Sequence, residues 1–382
     1  MFAVKKICYV VTIPGTIRSF FIPQLNYLAK NGFDVSVICS DDGMIGSELG
    51  DLVKFIPVDI PRGISVFGSI KAIKKLKIIF RREKFDVIQY STPNAALYSS
   101  IAAKWAGCKI RNYHLMGLRY LGAHGIGRKV LKTLEKITCN NSTSIECVSK
   151  SNMKLGVIEG LFPSDKVTVV WNGSTGGVDL SRFDLSQRKK WRSEVRKKLG
   201  YTEDDFIYGF VGRITRDKGI NELLKAFFSL KSDANLLLIG RFEHEEDLDQ
   251  GLLTTAKEDK KICFHDAVTN IEEYYAAIDV LVLPSYREGF GNVIIEAGAV
   301  GTPAIVSNIP GPIDTIIQNE TALVVPVKDV HALTESLEQI RKVDYNAMGK
   351  KAAQFAIEKF DSKILCEKIL ERKQLLIDKV VV

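Results

Sequence analysis

The sequence predicts an α/β protein made of two doubly wound domains, and three observations predict this fold class. Apolar runs typical of buried strands alternate with amphipathic segments typical of helices along the whole chain. The 382 residues are enough for two separate hydrophobic cores. A turn-rich segment and a charged helix, within residues 171–205, separate two series of strands. We therefore expect domains at residues 1–180 and 181–361, with a C-terminal helix at 362–382 completing the first domain.

The first domain opens with an apolar strand that leads into a turn. Pro14-Gly15-Thr16 is the predicted turn after this strand, and Asn31-Gly32 ends the helix that follows. The predicted elements of this domain are a strand at 6–12, a helix at 20–31, and strands at 35–39 and 87–90.

The second domain repeats the alternation of strands and helices. Its predicted elements are strands at 206–211, 235–239, 278–283, 304–306 and 322–325, with helices at 221–230 and 271–277. Helices between successive strands predict a parallel sheet, and open parallel sheets bind ligands at the carboxyl ends of their strands.

Composition and cysteine usage predict a soluble cytoplasmic protein. Hydrophobic residues make up 46% and charged residues 26% of the chain, as in ordinary globular proteins. No apolar run is long enough to span a membrane, and the N-terminus lacks the pattern of a signal peptide. The seven scattered cysteines include no Cys-x-x-Cys pair, which favours reduced thiols over a disulfide framework or a zinc site.

The net charge of +8 is distributed unevenly along the chain. Residues 1–200 carry 32 Lys and Arg against 15 Asp and Glu, a balance of +17. Residues 201–382 carry 21 against 30, a balance of −9. This asymmetry predicts that the N-terminal half faces an anionic partner.

A glycine-rich turn between two carboxylates is the most informative motif. Glu288 and Glu296 flank the turn Gly289-Phe290-Gly291-Asn292, which follows a strand and opens a helix. Backbone N–H groups in such a turn and the positive end of the helix can bind phosphate. Carboxylates only accept hydrogen bonds, so they suit a ligand that has vicinal hydroxyls as well. Taken alone, the turn also fits a purely structural role.

Two cations follow the first strand of the second domain. Arg213 and Lys218 stand just after that strand, where fixed positive charge can stabilise a diphosphate leaving group. Arginine offers a bidentate fork and lysine a point charge. The alternative is a pair of solvated loop cations.

Four motifs in one order resemble the retaining glycosyltransferases of family 4, whose two facing Rossmann-like domains form the GT-B architecture. The motifs are Asn172-Gly173 with Gly177-Val178-Asp179 and Phe183, then 211–219, then Glu288 with Glu296, and finally 301–316. The resemblance implies a GT-B fold with a cleft between the domains and a nucleoside-diphosphate sugar as donor.

The resemblance assigns roles to the donor side of the site. It implies that Glu288 contacts the donor sugar and Glu296 the ribose hydroxyls, and that Arg213, Lys218 and Glu288 are catalytic. The predicted donor-binding residues are Gly15, Gly212, Arg213, Lys218, Glu288, Gly289, Phe290, Gly291, Asn292 and Glu296. It implies no cofactor and no metal, because the cations and the helix dipole replace a divalent ion. It also implies retention by a front-face process, with the leaving phosphate helping to deprotonate the acceptor.

The first domain resembles bacterial enzymes that build capsular and related surface polysaccharides. Residues 92–122 carry most of this resemblance. It implies transfer of a hexose or N-acetylhexosamine from a UDP or GDP sugar to a saccharide carried on polyprenyl diphosphate, at the inner face of the cytoplasmic membrane. Many relatives have His before the glycine that aligns with Gly117, whereas this chain has Met116. His114 and Asn172 are the predicted acceptor-side residues, and His124 is a further candidate for an imidazole.

A basic amphipathic helix is predicted at residues 69–84. Its apolar stripe consists of Ile70, Ile73, Leu76, Ile79 and Phe80, with lysines and arginines around it. Such a helix can pack on a core or lie on an anionic bilayer. The charge of the N-terminal half and a lipid-linked acceptor favour peripheral membrane contact.

Three other functions compete with glycosyl transfer. A nucleotide-sugar epimerase has a similar double-Rossmann architecture, but it would act without an acceptor. A phosphorylase would need a pyridoxal-phosphate lysine and a much longer chain. A nucleic-acid-binding protein would use the basic half, but the sequence shows no motif that reads nucleic acid, so we expect no nucleic-acid partner.

Overall fold

The computed structural model describes residues 4–63 and 65–381, which fold into two compact units. The first unit is Met1–Gly176 with Lys363–Val382, and the second is Gly177–Ser362. The charge asymmetry follows this division. The first unit carries 29 basic and 15 acidic residues, a balance of +14, and the second carries 24 and 30, a balance of −6.

The first unit is built around a seven-stranded parallel sheet. Its strands are β1 (Lys5–Val10), β2 (Phe33–Cys39), β3 (Val53–Pro57), β4 (Val87–Tyr90), β5 (Ile110–Leu115), β6 (Ser144–Cys147) and β7 (Val167–Thr168). They are ordered β3-β2-β1-β4-β5-β6-β7. All paired neighbours run parallel, so each connection crosses over one face of the sheet.

Helices cover both faces of this sheet. In chain order they are α1 (Pro14–Phe20), α2 (Ile22–Lys30), α3 (Ile45–Glu48), α4 (Val66–Glu83), α5 (Pro93–Ala106), α6 (Gly125–Asn141) and α7 (Lys150–Ile158). Helices α4, α5 and α6 share one hydrophobic core with the sheet, while α1, α2 and α3 contribute to a second core.

The segment after β1 differs from the prediction. Pro14-Gly15-Thr16 is not a turn but the first turn of α1, and Phe21 divides the single helix predicted at 20–31 into α1 and α2. Proline at the first helical position has a suitable φ and needs no N–H partner, so Pro14 starts a helix as readily as a turn. Pro23 has no N–H to offer to the preceding turn, and the helical path therefore breaks next to it.

Helix α4 places its predicted apolar stripe mostly in the core. Leu76, Ile79 and Phe80 are buried, whereas Ile70 is about half exposed. The helix packs along α5, and most of the apolar stripe contacts the protein core. Of the two alternatives, packing on a core and lying on a bilayer, the first therefore describes most of the stripe. Among the described residues, no helix combines the length and apolarity needed to cross a bilayer.

The second unit contains a six-stranded parallel sheet. Its strands are β8 (Ile207–Val211), β9 (Asn235–Ile239), β10 (Ile262–His265), β11 (Val280–Leu283), β12 (Ala304–Ser307) and β13 (Ala322–Val325). The order is β10-β9-β8-β11-β12-β13. Strand order reverses beside β8, and this is the position at which open α/β sheets form a ligand crevice.

Seven helices accompany this sheet in the described chain. They are α8 (Arg188–Leu199), α9 (Ile220–Phe228), α10 (Gln250–Glu258), α11 (Ile271–Ala277), α12 (Asn292–Ala299), α13 (Val330–Ile340) and α14 (Tyr345–Phe360). A buried ion pair fixes α8: Arg196 donates to Asp279 at 2.8 Å, and both side chains are buried. The same Asp279 accepts the backbone N–H of Ile207 at 2.7 Å, so the charged helix is tied to the start of β8.

The last helix, α15 (Ser362–Val381), returns to the first unit. Leu365, Ile369 and Ile377 pack into the core that α1 and α2 also line. Lys373 is buried and pairs with Glu146 at 2.7 Å, which holds the pKa of that carboxyl down at about 2 although burial opposes this. Breaking a buried pair is costly, so this contact anchors the helix.

Candidate functional site

The candidate site lies in the second unit, at the carboxyl ends of β8 and β11. These strands are neighbours in the sheet although residues 212–279 separate them in sequence. Their carboxyl ends lead into two loops, at 212–219 and 284–291. The topology therefore brings Arg213 and Lys218 to the same edge of the sheet as Glu288.

Glycine allows the two loops to approach each other closely. Gly219 has φ +73°, and a Cβ on it would lie 2.2 Å from the carbonyl oxygen of Pro284. A larger residue would meet both backbone strain and a clash with the neighbouring loop. Gly219 thus sets the separation of the loops directly beside Lys218.

Lys218 and Glu288 meet at the centre of this arrangement. Lys218 Nζ donates to Glu288 Oε1 at 2.5 Å, and both side chains are largely buried. The hydroxyl of Ser285 donates to the same oxygen at 2.8 Å. One loop thus supplies the cation and the other supplies the carboxylate and its second donor.

Two further contacts fasten the loops together. The guanidinium of Arg287 pairs with the Asp217 carboxylate at 2.8 Å. The backbone N–H of Tyr286 donates to the carbonyl oxygen of Asp217, also at 2.8 Å. The positions of Lys218 and Glu288 are therefore supported by contacts on both sides, as a preorganised charged site requires.

Arg213 stands at the exposed side of the site. Its guanidinium pairs with Glu243 at 2.8 Å, and both side chains are about half exposed. Burial works to lower the pKa of Arg213, but Glu243 raises it, with smaller contributions from Asp217 and Glu288. Arg213 therefore belongs to the same group of charges as Lys218 and Glu288, and it carries a full positive charge.

Glu296 lies in α12 and faces α11. The hydroxyl of Tyr275 donates to Glu296 Oε2 at 3.0 Å. Burial raises the pKa of Glu296, and the hydrogen bond from Tyr275 opposes this effect. Tyr275 itself is fully buried, so its hydroxyl is a fixed partner of the carboxylate.

Different residues of the glycine turn serve structure and binding. Gly291, with φ +99°, caps α12, which begins at Asn292. The Phe290 ring is buried and packs edge-on against Phe360 at 5.6 Å between centroids, so its side chain anchors the turn. The positive end of α12 lies at this edge, next to Gly289 and the carboxylate of Glu288.

Gly212 opens the loop at 212–219 in the second unit, and the remaining candidates belong to the first unit. Gly15 lies in the first turn of α1, the helix that follows β1, and Asn172 follows β7. His114 is buried near the end of β5: its Nε2 is 3.2 Å from the Thr175 hydroxyl and its ring packs edge-on against Phe21. Burial lowers the pKa of His114 to about 4, so the imidazole is neutral at pH 7. Such enclosure disfavours contact with an acceptor, and we do not include His114 in the proposed site.

Sequence reasoning missed three residues that shape the second-unit site. Ser285 and Tyr275 donate to the two glutamates, and Glu243 binds Arg213. Glu243 follows β9, the neighbour of β8, so sheet order would have pointed to it. Ser285 and Tyr275 offer no comparable signal, because a hydroxyl is recognised as a partner only once its distance is known.

Within residues 4–63 and 65–381, no three His, Cys, Asp or Glu side chains are grouped as metal ligands would be. The charges that meet at the two loops are those of two ion pairs, Lys218 with Glu288 and Arg287 with Asp217, with Arg213 on the exposed side.

Family models match both units. The Glycosyl transferase 4-like model matches residues 6–149, and the Glycosyl transferases group 1 model matches residues 192–355. Fold and site together define a GT-B glycosyltransferase. The chain belongs to the family these two models describe, the group 1 glycosyl transferases with a 4-like first domain.

Two curated bacterial proteins resemble the chain over nearly its full length. The capsular polysaccharide biosynthesis glycosyltransferase CapM of Staphylococcus aureus is 31% identical over 370 residues, 96% of each chain. An Escherichia coli protein is 27% identical, over 98% of this chain and 97% of its own. It is named UDP-Gal:alpha-D-GlcNAc-diphosphoundecaprenol alpha-1,3-galactosyltransferase.

Solved structures share the fold. HepE from Anabaena, in complex with UDP and glucose, superposes with a TM-score of 0.79 at 18% identity, over 97% of this chain and 99% of its own. Sucrose-phosphate synthase from Thermosynechococcus elongatus gives 0.79 at 20% identity, over 98% and 100%. Both superpositions show that this chain has the GT-B fold.

Proposed function

We propose that this glycosyltransferase moves a hexose or N-acetylhexosamine from a UDP or GDP sugar to a saccharide carried on polyprenyl diphosphate, in the synthesis of a bacterial surface polysaccharide. The observation that carries the proposal is the meeting of Lys218 and Glu288 between two loops at the switch point of the second sheet. The name of the galactosyltransferase relative supports the class of donor and acceptor, and the name of CapM supports the synthesis of a surface polysaccharide.

The donor diphosphate binds between the cations. Arg213 uses NH1 for Glu243, which leaves other guanidinium N–H groups to reach phosphate oxygens. Lys218 exchanges its contact with Glu288 for the diphosphate, and the Glu288 carboxylate then accepts hydrogen bonds from sugar hydroxyls. The positive end of α12 and the turn at Gly289–Asn292 add to the phosphate site.

The nucleoside is held by Glu296. Its carboxylate accepts hydrogen bonds from both ribose hydroxyls, while the Tyr275 hydroxyl donates to Oε2. Gly212 and Gly15 remain further proposed donor-binding residues. Asn172 remains the proposed acceptor-side residue.

No metal or cofactor enters the proposed reaction. As the bond between C1 and the phosphate oxygen breaks, Arg213, Lys218 and the α12 dipole stabilise the charge that develops on the diphosphate. The acceptor hydroxyl oxygen bonds to C1 on the same face of the sugar. Its proton passes to an oxygen of the leaving diphosphate, so configuration is retained without an enzymic nucleophile.

Two variants test this assignment. Arg213→Ala and Glu288→Ala should each lower transfer at least about 100-fold, because each removes a charge that acts on the donor in the transition state. Lys225→Ala, an exposed cation on the neighbouring α9, is the matched control and should leave turnover unchanged. Near-normal transfer by either site variant, with the fold shown intact by circular dichroism, would refute the assignment.

The acceptor implies a location. We infer that the protein acts in the cytoplasm, in peripheral contact with the inner face of the membrane. The balance of +14 on the first unit supports this inference, because anionic lipid attracts clustered Lys and Arg.

A further inference from the structure

Three neighbouring helices on one side of the first sheet carry an unusual excess of positive charge. Helix α5 packs between α4 and α6, and together they contain 11 Lys and Arg but two acidic residues. Glu83 is paired with Lys54 at 2.8 Å, and Glu135 is buried and accepts the Tyr113 hydroxyl at 2.7 Å. The charge on the outward surface of α4 and α6 is therefore almost entirely positive.

The other side of the sheet differs in charge. Helices α1, α2, α3 and α15 contain seven Lys and Arg against four acidic residues. The excess of positive charge on the α4–α6 side is thus a property of one face and not of the whole unit.

Large apolar side chains are exposed between these cations. Phe67 on α4 is 89% exposed and Ile126 on α6 is 81% exposed. Ile78 and Trp105 are also exposed, and Lys77 Nζ lies 5.8 Å from the centroid of the Trp105 ring. Contact of such apolar side chains with water is unfavourable. Aromatic and aliphatic groups among lysines are typical of helices that lie at a membrane interface.

The most exposed apolar residues lie at one end of these helices. Phe67 and Ile126 are the second residues of α4 and α6, and helices that connect parallel strands run opposite to the strands. Both side chains therefore lie toward the carboxyl edge of the first sheet. This is the edge at which open α/β sheets bind their ligands.

We propose that this α4–α6 face, formed by Phe67, Lys71, Lys74, Ile78, Trp105, Ile126 and Lys129, docks on an anionic lipid bilayer. Phe67 and Ile126 enter the interface, and the lysines lie at the phosphate level. The proposal rests on the proposed function, because a lipid-carried acceptor reaches the carboxyl edge from that bilayer. A nucleic acid or acidic protein would match the charge but would leave the apolar residues in water.

Sedimentation with vesicles tests the charge. The full chain should bind vesicles of phosphatidylcholine mixed with phosphatidylglycerol, because their anionic surface attracts Lys and Arg. It should bind vesicles of pure phosphatidylcholine weakly. Changing Lys71, Lys74 and Lys129 together to Gln should weaken binding at least about tenfold. The control changes Lys363, Lys368 and Lys379 on α15 to Gln, which removes the same charge from the other face and should have little effect. Equal weakening by both triple variants would overturn the proposal.

A second comparison tests the apolar anchors. Phe67→Ser with Ile126→Ser should weaken vesicle binding and leave retention on heparin unchanged, since both side chains are exposed and their loss costs little stability. If vesicle binding is unchanged, the face is a general polyanion surface and the proposal fails. Titration with UDP and GDP separates this outcome from failure of the proposed function. If the chain binds a nucleotide but not vesicles, only the proposed docking face is refuted. If it binds neither nucleotide, the proposed donor site is refuted.

Discussion

At the residue scale, the Lys218–Glu288 contact determines what the donor must displace. Its two charges are already in place before ligand arrives, because Ser285 and the Asp217 contacts hold both loops. Binding a diphosphate exchanges one anionic partner of Lys218 for another, so little reorganisation is needed.

Lys218→Ala should weaken binding of the nucleoside diphosphate. Charge-assisted hydrogen bonds contribute about 1.5–3 kcal/mol, so the Kd should rise roughly 10-fold to 100-fold. Calorimetric titration of UDP and GDP against wild type, Lys218→Ala and Lys225→Ala measures this. An unchanged Kd for Lys218→Ala would exclude it from the diphosphate site.

Tyr275→Phe should weaken recognition of the ribose. Without the donated hydrogen bond, the pKa of Glu296, already raised by burial, rises further, and more of the carboxyl is protonated. A protonated carboxyl accepts hydroxyls less well. The donor KM should therefore rise, more at pH 6 than at pH 8, with kcat little changed.

The neighbouring Tyr274 provides a matched control for this variant. It is equally buried, but its hydroxyl is 3.2 Å from His265 Nε2 and not from Glu296. Tyr274→Phe should keep the preference for UDP over 2′,3′-dideoxy-UDP, whereas Tyr275→Phe should lose most of it. A full preference in Tyr275→Phe would mean that the phenol has only a packing role.

At the element scale, helix α6 holds a buried carboxyl that couples stability to pH. Burial raises the pKa of Glu135 to about 7, although the Tyr113 hydrogen bond opposes this. A raised carboxyl pKa stabilises the fold at low pH, and this contribution is lost as pH rises from the unfolded value through about 7.

Glu135→Gln should therefore stabilise the protein at pH 8 relative to wild type, by up to about 3 kcal/mol, and the difference should vanish near pH 4. Denaturant unfolding between pH 4 and 8 measures the difference in free energy of unfolding. Glu367→Gln on the exposed side of α15 should show no such trend. A pH-independent difference for Glu135→Gln would contradict a buried, titrating carboxyl.

Some strands and helices can be predicted from sequence patterns alone, and others cannot. Strands β8, β9 and β11 were predicted to within two residues, because buried parallel strands are short continuous apolar runs. β10 was missed, because Ile262–His265 is only partly buried and ends in a polar residue, so it is not a continuous apolar run. The break at Phe21 was missed because the apolar pattern continues through it.

At the scale of the whole molecule, the GT-B fold was predicted correctly from alternating elements and motif order. The positions of Arg213, Lys218 and Glu288 at one sheet edge also followed from the sequence, because each stands just after a strand. Their partners did not follow. Glu243 and Tyr275 reach the site through strand order and helix packing, which a sequence does not encode as local patterns. Ser285 is recognised as a partner of Glu288 only from the distance between them.

The most direct test of the central claim is to follow a labelled sugar in one reaction. The full chain is incubated with labelled UDP and GDP sugars, with and without a polyprenyl-diphosphate saccharide, and the products are separated. We predict that label moves to the lipid-linked saccharide with release of one nucleoside diphosphate per sugar, and only when the acceptor is present. Conversion of the nucleotide sugar without acceptor, or no transfer from any donor, would contradict the account.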